Sequence, residues 1–221
     1  MKDEKKDLII CRIEDSPFSY DDLMQLIYAS VQERLDQGLN FIVASMSADD
    51  YREKTKDSIV IVAYRDNDLL GTACSTIKKD KHGNNFSYEE LIYVSPECKR
   101  GGIGSKMQKK RVEIARENGC AYTISDTAEG ATSSVKWHLK NGYKLVGLAS
   151  FANTNYYSKV FRWQIEPHPL WNNSLYCKVH YWFSSMKCKL CYYEDGRYKW
   201  PLKIIVKMLS YFSNSVLKQG E

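Results

Sequence analysis

One stretch, VSPECKRGGIGSKMQKKRVEIARENG from Val94 to Gly119, constrains this chain more than any other. An extended apolar segment, LIYV, ends at a proline, and three glycines within four residues then open a long, basic, amphipathic run. Glycine lets the backbone adopt positive φ and come close to a ligand, while the first turn of a helix presents unpaired N–H groups and a partial positive charge. Together these features make a seat for a phosphate or another anion. A Walker loop is excluded, because GGIGSK puts serine before lysine in the wrong spacing. A dinucleotide fingerprint would need a small residue where Met107 stands, and it belongs at the first strand of its unit rather than behind three antiparallel ones. A plain strand-to-helix turn is the remaining reading that binds nothing.

The rest of the sequence reads as a mixed α/β protein. DLIICRI, from Asp7, is a first strand; SYDDLMQLIYASVQERLDQGL is a helix with Ser19 as its cap and Gly38 near its end; SADDYREKTKDS is a second, short helix. SIVIVAYR and LLGTACSTIKK are strands joined by a tight DND turn, and FSYEELIYV feeds the glycine turn. A helix from about Ser105 to Asn118, the strand CAYTISDT, a helix TSSVKWHLKN stopped at Gly142, and a final strand pair complete the order. No internal repeat is present.

Composition removes several function classes. With 43% hydrophobic and 27% charged residues, 221 residues can bury one sizeable core with an appendage left over. No window approaches the roughly 18 to 20 apolar residues of a membrane span, and the first residues are too acidic for a secretory signal, so the expected compartment is the cytoplasm. Seven scattered cysteines agree with reduced thiols. Up to Ile165 there are 24 Lys and Arg against 23 Asp and Glu, and beyond it 8 against 4. The main part is nearly neutral, which gives no case for nucleic-acid binding.

A family resemblance begins at the glycines. YVSPECKRGGIGSKM resembles the acyl-CoA pyrophosphate loop of the GNAT N-acetyltransferase superfamily, with Lys99, Gly102 and Gly104 on its pattern positions and lysine replacing the usual glutamine or arginine. SSVKWHLKNGYKLVG is similar to the superfamily's second signature. The two span Glu89 to Gly147 in the family's order. The resemblance implies a GNAT-type acyl-CoA N-acyltransferase fold over residues 1–165, a mixed, mostly antiparallel sheet flanked by helices. Residues 166–221 are then a basic, aromatic, helical C-terminal extension.

The resemblance also implies acetyl-CoA as co-substrate and no metal. Its pyrophosphate would be received by Lys99, Arg100, Gly101, Gly102, Ile103, Gly104 and Ser105, and its pantetheine arm would lie along the backbone of Ile92, Tyr93 and Val94. Thiolate departure benefits from an acid, and the position aligned with the family's usual tyrosine is His138; a packed, hydrogen-bonded histidine is the alternative. Glu90 is the candidate base, sharing the face of Ile92 and Val94 in a regular strand, while Glu89 would point the other way unless a bulge shifts the register. Ala131 stands where many relatives have an asparagine that helps hold the cofactor. The sequence looks like GNAT proteins of bacterial surface-polysaccharide pathways, which implies an amino sugar or nucleotide-linked amino sugar as acceptor, with NTNYYSKVFRW as a stretch suited to such a ligand or to a core strand. A peptide N-terminus, a polyamine, or a non-catalytic acyl-CoA-binding module are the other readings.

In the extension, Cys177, His180, Cys188 and Cys191 share one face if the helix is continuous, and the two pairs are then about 16 Å apart by helix rise, too far for one metal ion; only a chain reversal between His180 and Cys188 would bring them together. Leu175, Val179, Trp182, Phe183, Met186 and Leu190 form an apolar stripe, and Ile204, Ile205, Met208, Leu209 and Phe212 form another. Such stripes pack on their own domain or on a twin subunit as a homodimer; a peripheral contact with an anionic membrane is the other partner they suit.

Overall fold

The computed structural model describes residues 7–197 and 199. The described residues form two compact units, one of residues 7–78 with 87–118, the other of residues 79–86 with 119–197 and 199.

The first unit holds β1 (Ile9–Arg12), α1 (Tyr20–Asp36), α2 (Ala48–Lys54), β2 (Ile59–Arg65), β3 (Asp68–Lys79), β4 (Asn85–Val94) and α3 (Ile103–Glu117); the shared hairpin end of β3 and β4 belongs to the second unit. Its strands run in the order β1-β2-β3-β4, with β1 and β3 antiparallel to β2. Alternation along β2 decides the layers. Val60 and Val62 face a cluster built with Leu23, Ile27 and Val31 of α1 and Tyr51 of α2, while Ile61 and Ala63 face Ile103, Met107 and Ile114 of α3. Each of α1 and α2 starts with a reciprocal capping box, Ser19 with Asp22 and Ser47 with Asp50. The contact of α3 with β3 is close: a Cβ at Gly71 would lie 2.7 Å from Met107 Cε and 3.0 Å from the Tyr93 carbonyl oxygen.

Strand β4 is not regular. Leu91 takes φ +56°, a left-handed conformation rare for a leucine. Leu91 and Tyr93 pack with the α1 cluster, whereas Ile92 and Val94 pack with the α3 cluster. Glu89 reaches α3 as well, where its Oε2 accepts a 2.9 Å hydrogen bond from Gln108 Nε2. The parity expected between Glu90 and Ile92 therefore breaks at Leu91, and it is Glu89 that shares the side of Ile92 and Val94. Beside it lies Arg111, fully buried, with Nη2 3.8 Å from Glu89 Oε2. Its Nε donates to Gln108 Oε1 (3.2 Å), and Nη1 donates to the carbonyls of Cys74 (3.3 Å) and Glu90 (3.4 Å).

The second unit holds β5 (Tyr122–Ala128), α4 (Thr132–Lys140), β6 (Lys144–Ser150), β7 (Tyr157–Gln164) and α5 (Ser174–Cys191). The strand order is β5-β7-β6, both ladders antiparallel, so β6 ends the row. An end strand presents unpaired backbone groups. Here α5 covers them: His180 Nδ1 donates to the Val146 carbonyl at 2.7 Å, and the Ser184 hydroxyl accepts from Leu148 N–H (3.1 Å) and lies 3.3 Å from the Leu148 carbonyl. The helix is continuous, as expected, and Cys177, His180, Cys188 and Cys191 do share a face, with Ser184 among them. That face is the buried one. The apolar stripe expected to pack is largely outward, with Leu175 69% and Trp182 59% exposed, because the surface to be covered is polar backbone. The stripe from Ile204 to Phe212 lies outside the described residues. Among those described, no helix is long and apolar enough to cross a membrane.

Two stability measurements test these contacts. Removing the cation alone, in Arg111→Leu, strands the Glu89 carboxylate and should cost about 3 to 5 kcal/mol in denaturant unfolding, most of it recovered when Glu89→Leu is added. His180 is held neutral by burial, which lowers its pKa more than the hydrogen bond to Val146 raises it. A lowered folded pKa means stability present above the unfolded value near 6.5 and lost as pH falls through the folded one. The melting temperature should decline below about pH 6.5, less steeply in His180→Gln.

Candidate functional site

The glycine turn closes as a short 3-10 turn (Pro96–Cys98) followed by two left-handed residues, Arg100 at φ +71° and Gly102 at φ +79°. Gly102 is the N-cap of α3, and a Cβ there would meet nothing, so the glycine answers to the backbone conformation rather than to crowding. Unlike α1 and α2, α3 has no side-chain cap and no acidic residue in its first turn. The N–H groups of Ile103, Gly104 and Ser105 thus begin a 15-residue helix without a side-chain acceptor, at the positive end of its dipole. Gly101 is fixed by its N–H to the Cys98 carbonyl at 3.1 Å.

The other expected cofactor residues fall into place unevenly. Lys99 is on the loop, but its Nζ is paired with Glu33 Oε2 of α1 at 2.6 Å, and this bond holds the Glu33 carboxyl below its usual range. Both side chains are exposed, so the pair can exchange for another anion at little cost. Arg100 is exposed. Tyr93 is buried in the α1 cluster, and Ile92 and Val94 face α3. Glu90 is half-buried, directly before left-handed Leu91, with its carbonyl tied to Arg111. Tyr51 and Cys74 lie in the α1 cluster near enough to feel its charge; burial, the larger cause, pushes the Cys74 thiol up to about 12.

His138 sits in the second unit, near the end of α4, and is 1% exposed. Its ring stacks on Phe161 (4.5 Å between centroids, 14° between planes) and meets Trp137 and Tyr143 edge-on. Nδ1 is 2.8 Å from the Ser134 carbonyl and Nε2 is 2.9 Å from the Ser125 hydroxyl. A carbonyl can only accept, so Nδ1 carries the proton and, in the neutral ring, Nε2 accepts from Ser125. Ala131 is the N-cap of α4 and supplies no capping side chain. In the stretch NTNYYSKVFRW, Asn153 and Asn155 are exposed, while Val160 and Phe161 are core and Tyr157 donates its hydroxyl proton to the Tyr192 carbonyl at 2.9 Å. What the sequence did not disclose is the Glu89–Gln108–Arg111 cluster behind β4; a glutamine and an arginine at i and i+3 on an amphipathic helix ordinarily read as a solvated face.

The chain matches the Acetyltransferase (GNAT) family over residues 23–143. It is 29% identical over 89 residues to aminoglycoside N(6')-acetyltransferase type 1 of Klebsiella aerogenes, a match that takes in 39% of this chain and only 59% of that relative's length. Among solved structures, it is similar to yncA of Salmonella typhimurium with acetyl-CoA (TM-score 0.58, 14% identity, 73% of this chain and 96% of that one). A GNAT acetyltransferase of Elizabethkingia anophelis with acetyl-CoA bound gives TM-score 0.51 at 14% identity over 72% of this chain and 98% of that one. The ribosomal-protein-alanine N-acetyltransferase of Brucella melitensis gives 0.55 at 16% identity over 71% and 99%. At these identities the likeness establishes the fold.

Replacing His138 by phenylalanine keeps the ring stack and leaves the Ser125 hydroxyl and the Ser134 carbonyl without their partner. The expected loss is about 1 to 3 kcal/mol in urea unfolding, with the fold retained by circular dichroism.

Proposed function

This chain belongs to the GNAT acetyltransferase family, and from that premise we propose that it moves the acetyl group of acetyl-CoA to a primary amine of a small acceptor, an amino sugar or a nucleotide-linked amino sugar. The observation that carries the reading is the uncapped start of α3 behind left-handed Gly102. Bound acetyl-CoA would supply the activated thioester. The amides of Ile103, Gly104 and Ser105 would hold its pyrophosphate, with Lys99 and Arg100 adding charge and Gly101 and Gly102 shaping the turn. The backbone of Ile92, Tyr93 and Val94 would align the pantetheine arm in the manner of an added strand.

The attacking amine must be neutral. Glu90 is the proposed base, acting directly or through water, since it stands just before left-handed Leu91 and Arg111 fixes its backbone. For His138 the tethering role is the better supported: both ring nitrogens are engaged within its own unit and its exposure is negligible. The thiolate proton would then come from solvent or from another group. An amino-sugar acceptor is supported by the aminoglycoside-modifying relative, whose name describes acetylation of an amine on a sugar-based compound.

A panel of amino sugars, nucleotide-linked amino sugars, polyamines and peptides, assayed for free thiol release from acetyl-CoA, tests the reaction. Turnover with an amino sugar is expected; turnover only with peptides overturns the acceptor class, and none at all favours the non-catalytic module. Gly104→Val should weaken acetyl-CoA binding at least tenfold by calorimetry in a folded protein, and unchanged affinity would remove the loop from the cofactor site. With the identified acceptor, Glu90→Gln should lower kcat about 10² to 10⁴-fold, whereas His138→Phe should stay within about threefold of the parent.

A further inference from the structure

Within the second unit, a cavity of about 160 Å³ opens beside the end of β7, lined by Lys144, Arg162, Trp163, Gln164 and Trp171 among others. No carboxylate lines it. Arg162 is 7% exposed, and its guanidinium carbon lies 3.4 Å from the ring centroid of Tyr122 and 4.5 Å from that of Trp171. Its Nε donates to Gln164 Oε1 at 2.9 Å, but among the described residues the guanidinium has no ion pair. Burial lowers its pKa to about 10, still far above neutrality, so a full charge is kept in a largely dry place. Asp80 and Tyr122 favour the Arg162 charge, but Asp80 forms no ion pair with it and accepts instead from Tyr122 (3.2 Å), from Asn84 Nδ2 (3.1 Å) and from the N–H groups of His82 (2.8 Å) and Asn84 (3.0 Å). Lys144 adds a second cation, with its Nζ donating to the carbonyls of Trp171 (3.2 Å) and Asn172.

A buried charge without a carboxylate at ion-pair distance is costly, and a guanidinium lining a cavity carries a planar fork of donors that fits an oxyanion. Two cations, in place of one, suit a dianion. The cavity is well below the roughly 300 to 1,000 Å³ of pockets that enclose whole ligands, so it admits a head group whose remainder would lie outside, along Trp163 or Trp171. We propose that the Arg162–Lys144 cavity is a binding site for a phosphoryl group, either inorganic phosphate or the phosphate end of a larger molecule.

The experiment uses the full chain and three probes at matched ionic strength: inorganic phosphate, glucosamine 6-phosphate and acetate, with chloride as the reference. At ten times its dissociation constant a phosphate ligand should raise the melting temperature by about 3 to 6 °C over chloride. Because the start of α3 is also proposed to hold phosphate groups, each titration is repeated in Gly104→Val, where the rise should persist. It should fall at least tenfold in apparent affinity in Lys144→Gln, a half-buried side chain whose loss the fold should tolerate, and in Arg162→Lys, which keeps the charge but not the fork. A larger rise with the sugar phosphate than with inorganic phosphate assigns the site to an organic ligand, and equal rises assign it to the free ion. The proposal is overturned if phosphate does no more than chloride, if acetate does as well as phosphate, or if the rise survives in Lys144→Gln and disappears in Gly104→Val.

Discussion

The guanidinium of Arg111 is the contact on which the first unit depends. It is fully buried, on the inner side of α3, and it donates at once to a side chain of its own helix, to the Cys74 carbonyl of β3 and to the Glu90 carbonyl of β4. Taking a charge out of water costs several kcal/mol, which only a full set of acceptors offsets. One of the acceptors lies where β4 is irregular. A left-handed residue at Leu91 turns the strand, and the Glu90 carbonyl just before it is the one Arg111 takes. Glu89 and Gln108 complete the arrangement by giving the charge a carboxylate at 3.8 Å and a neutral bridge between the two. The left-handed turn at Leu91 and the buried charge thus meet at the Glu90 carbonyl, directly before Ile92 to Val94.

The helix starts show a second division of labour. Where α1 and α2 begin, Ser19 with Asp22 and Ser47 with Asp50 satisfy the first-turn amides and place negative charge at the dipole. Where α3 begins, the chain supplies neither, and the turn before it holds two left-handed residues, Arg100 and Gly102. A helix of 15 residues packed through Ile103, Met107 and Ile114 tolerates an uncapped end, since a cap contributes only about 1 kcal/mol. That tolerance is what lets the first-turn amides of α3 go without a side-chain acceptor.

The element order was legible because each cue is local: alternation for β2, serine caps for α1 and α2, glycines for the turn. The family was legible for the same reason, since its two signatures are short. Two things were not. The face carrying Glu90 depended on an αL residue that is a leucine, and no sequence pattern marks a leucine for positive φ. The packing face of α5 depended on its partner. Hydrophobic periodicity assumes an apolar partner, and Leu175, Val179 and Trp182 form the most apolar stripe, yet the helix lies against the backbone of an end strand, where short polar and small side chains fit. The 3,4,4,3 spacing from Cys177 through His180, Ser184 and Cys188 to Cys191 was the signal for that face, and it imitates half-motifs of a metal site.

The cysteines on that face behave as packing residues. Burial raises the pKa of Cys177 and Cys191 and pushes Cys188 up to about 12, so at neutral pH they are thiols. A thiol is small and nearly apolar, which lets α5 approach β6 closely enough for Ser184 and His180 to reach its backbone; a Cβ on Gly147 of β6 would lie only 3.0 Å from Ser184 Oγ. Glycine on the strand and cysteine and serine on the helix are thus one adaptation. It closes the end of the row β5-β7-β6, and it requires His180 to remain neutral, because a charged imidazole there would be desolvated within reach of the Arg162 charge.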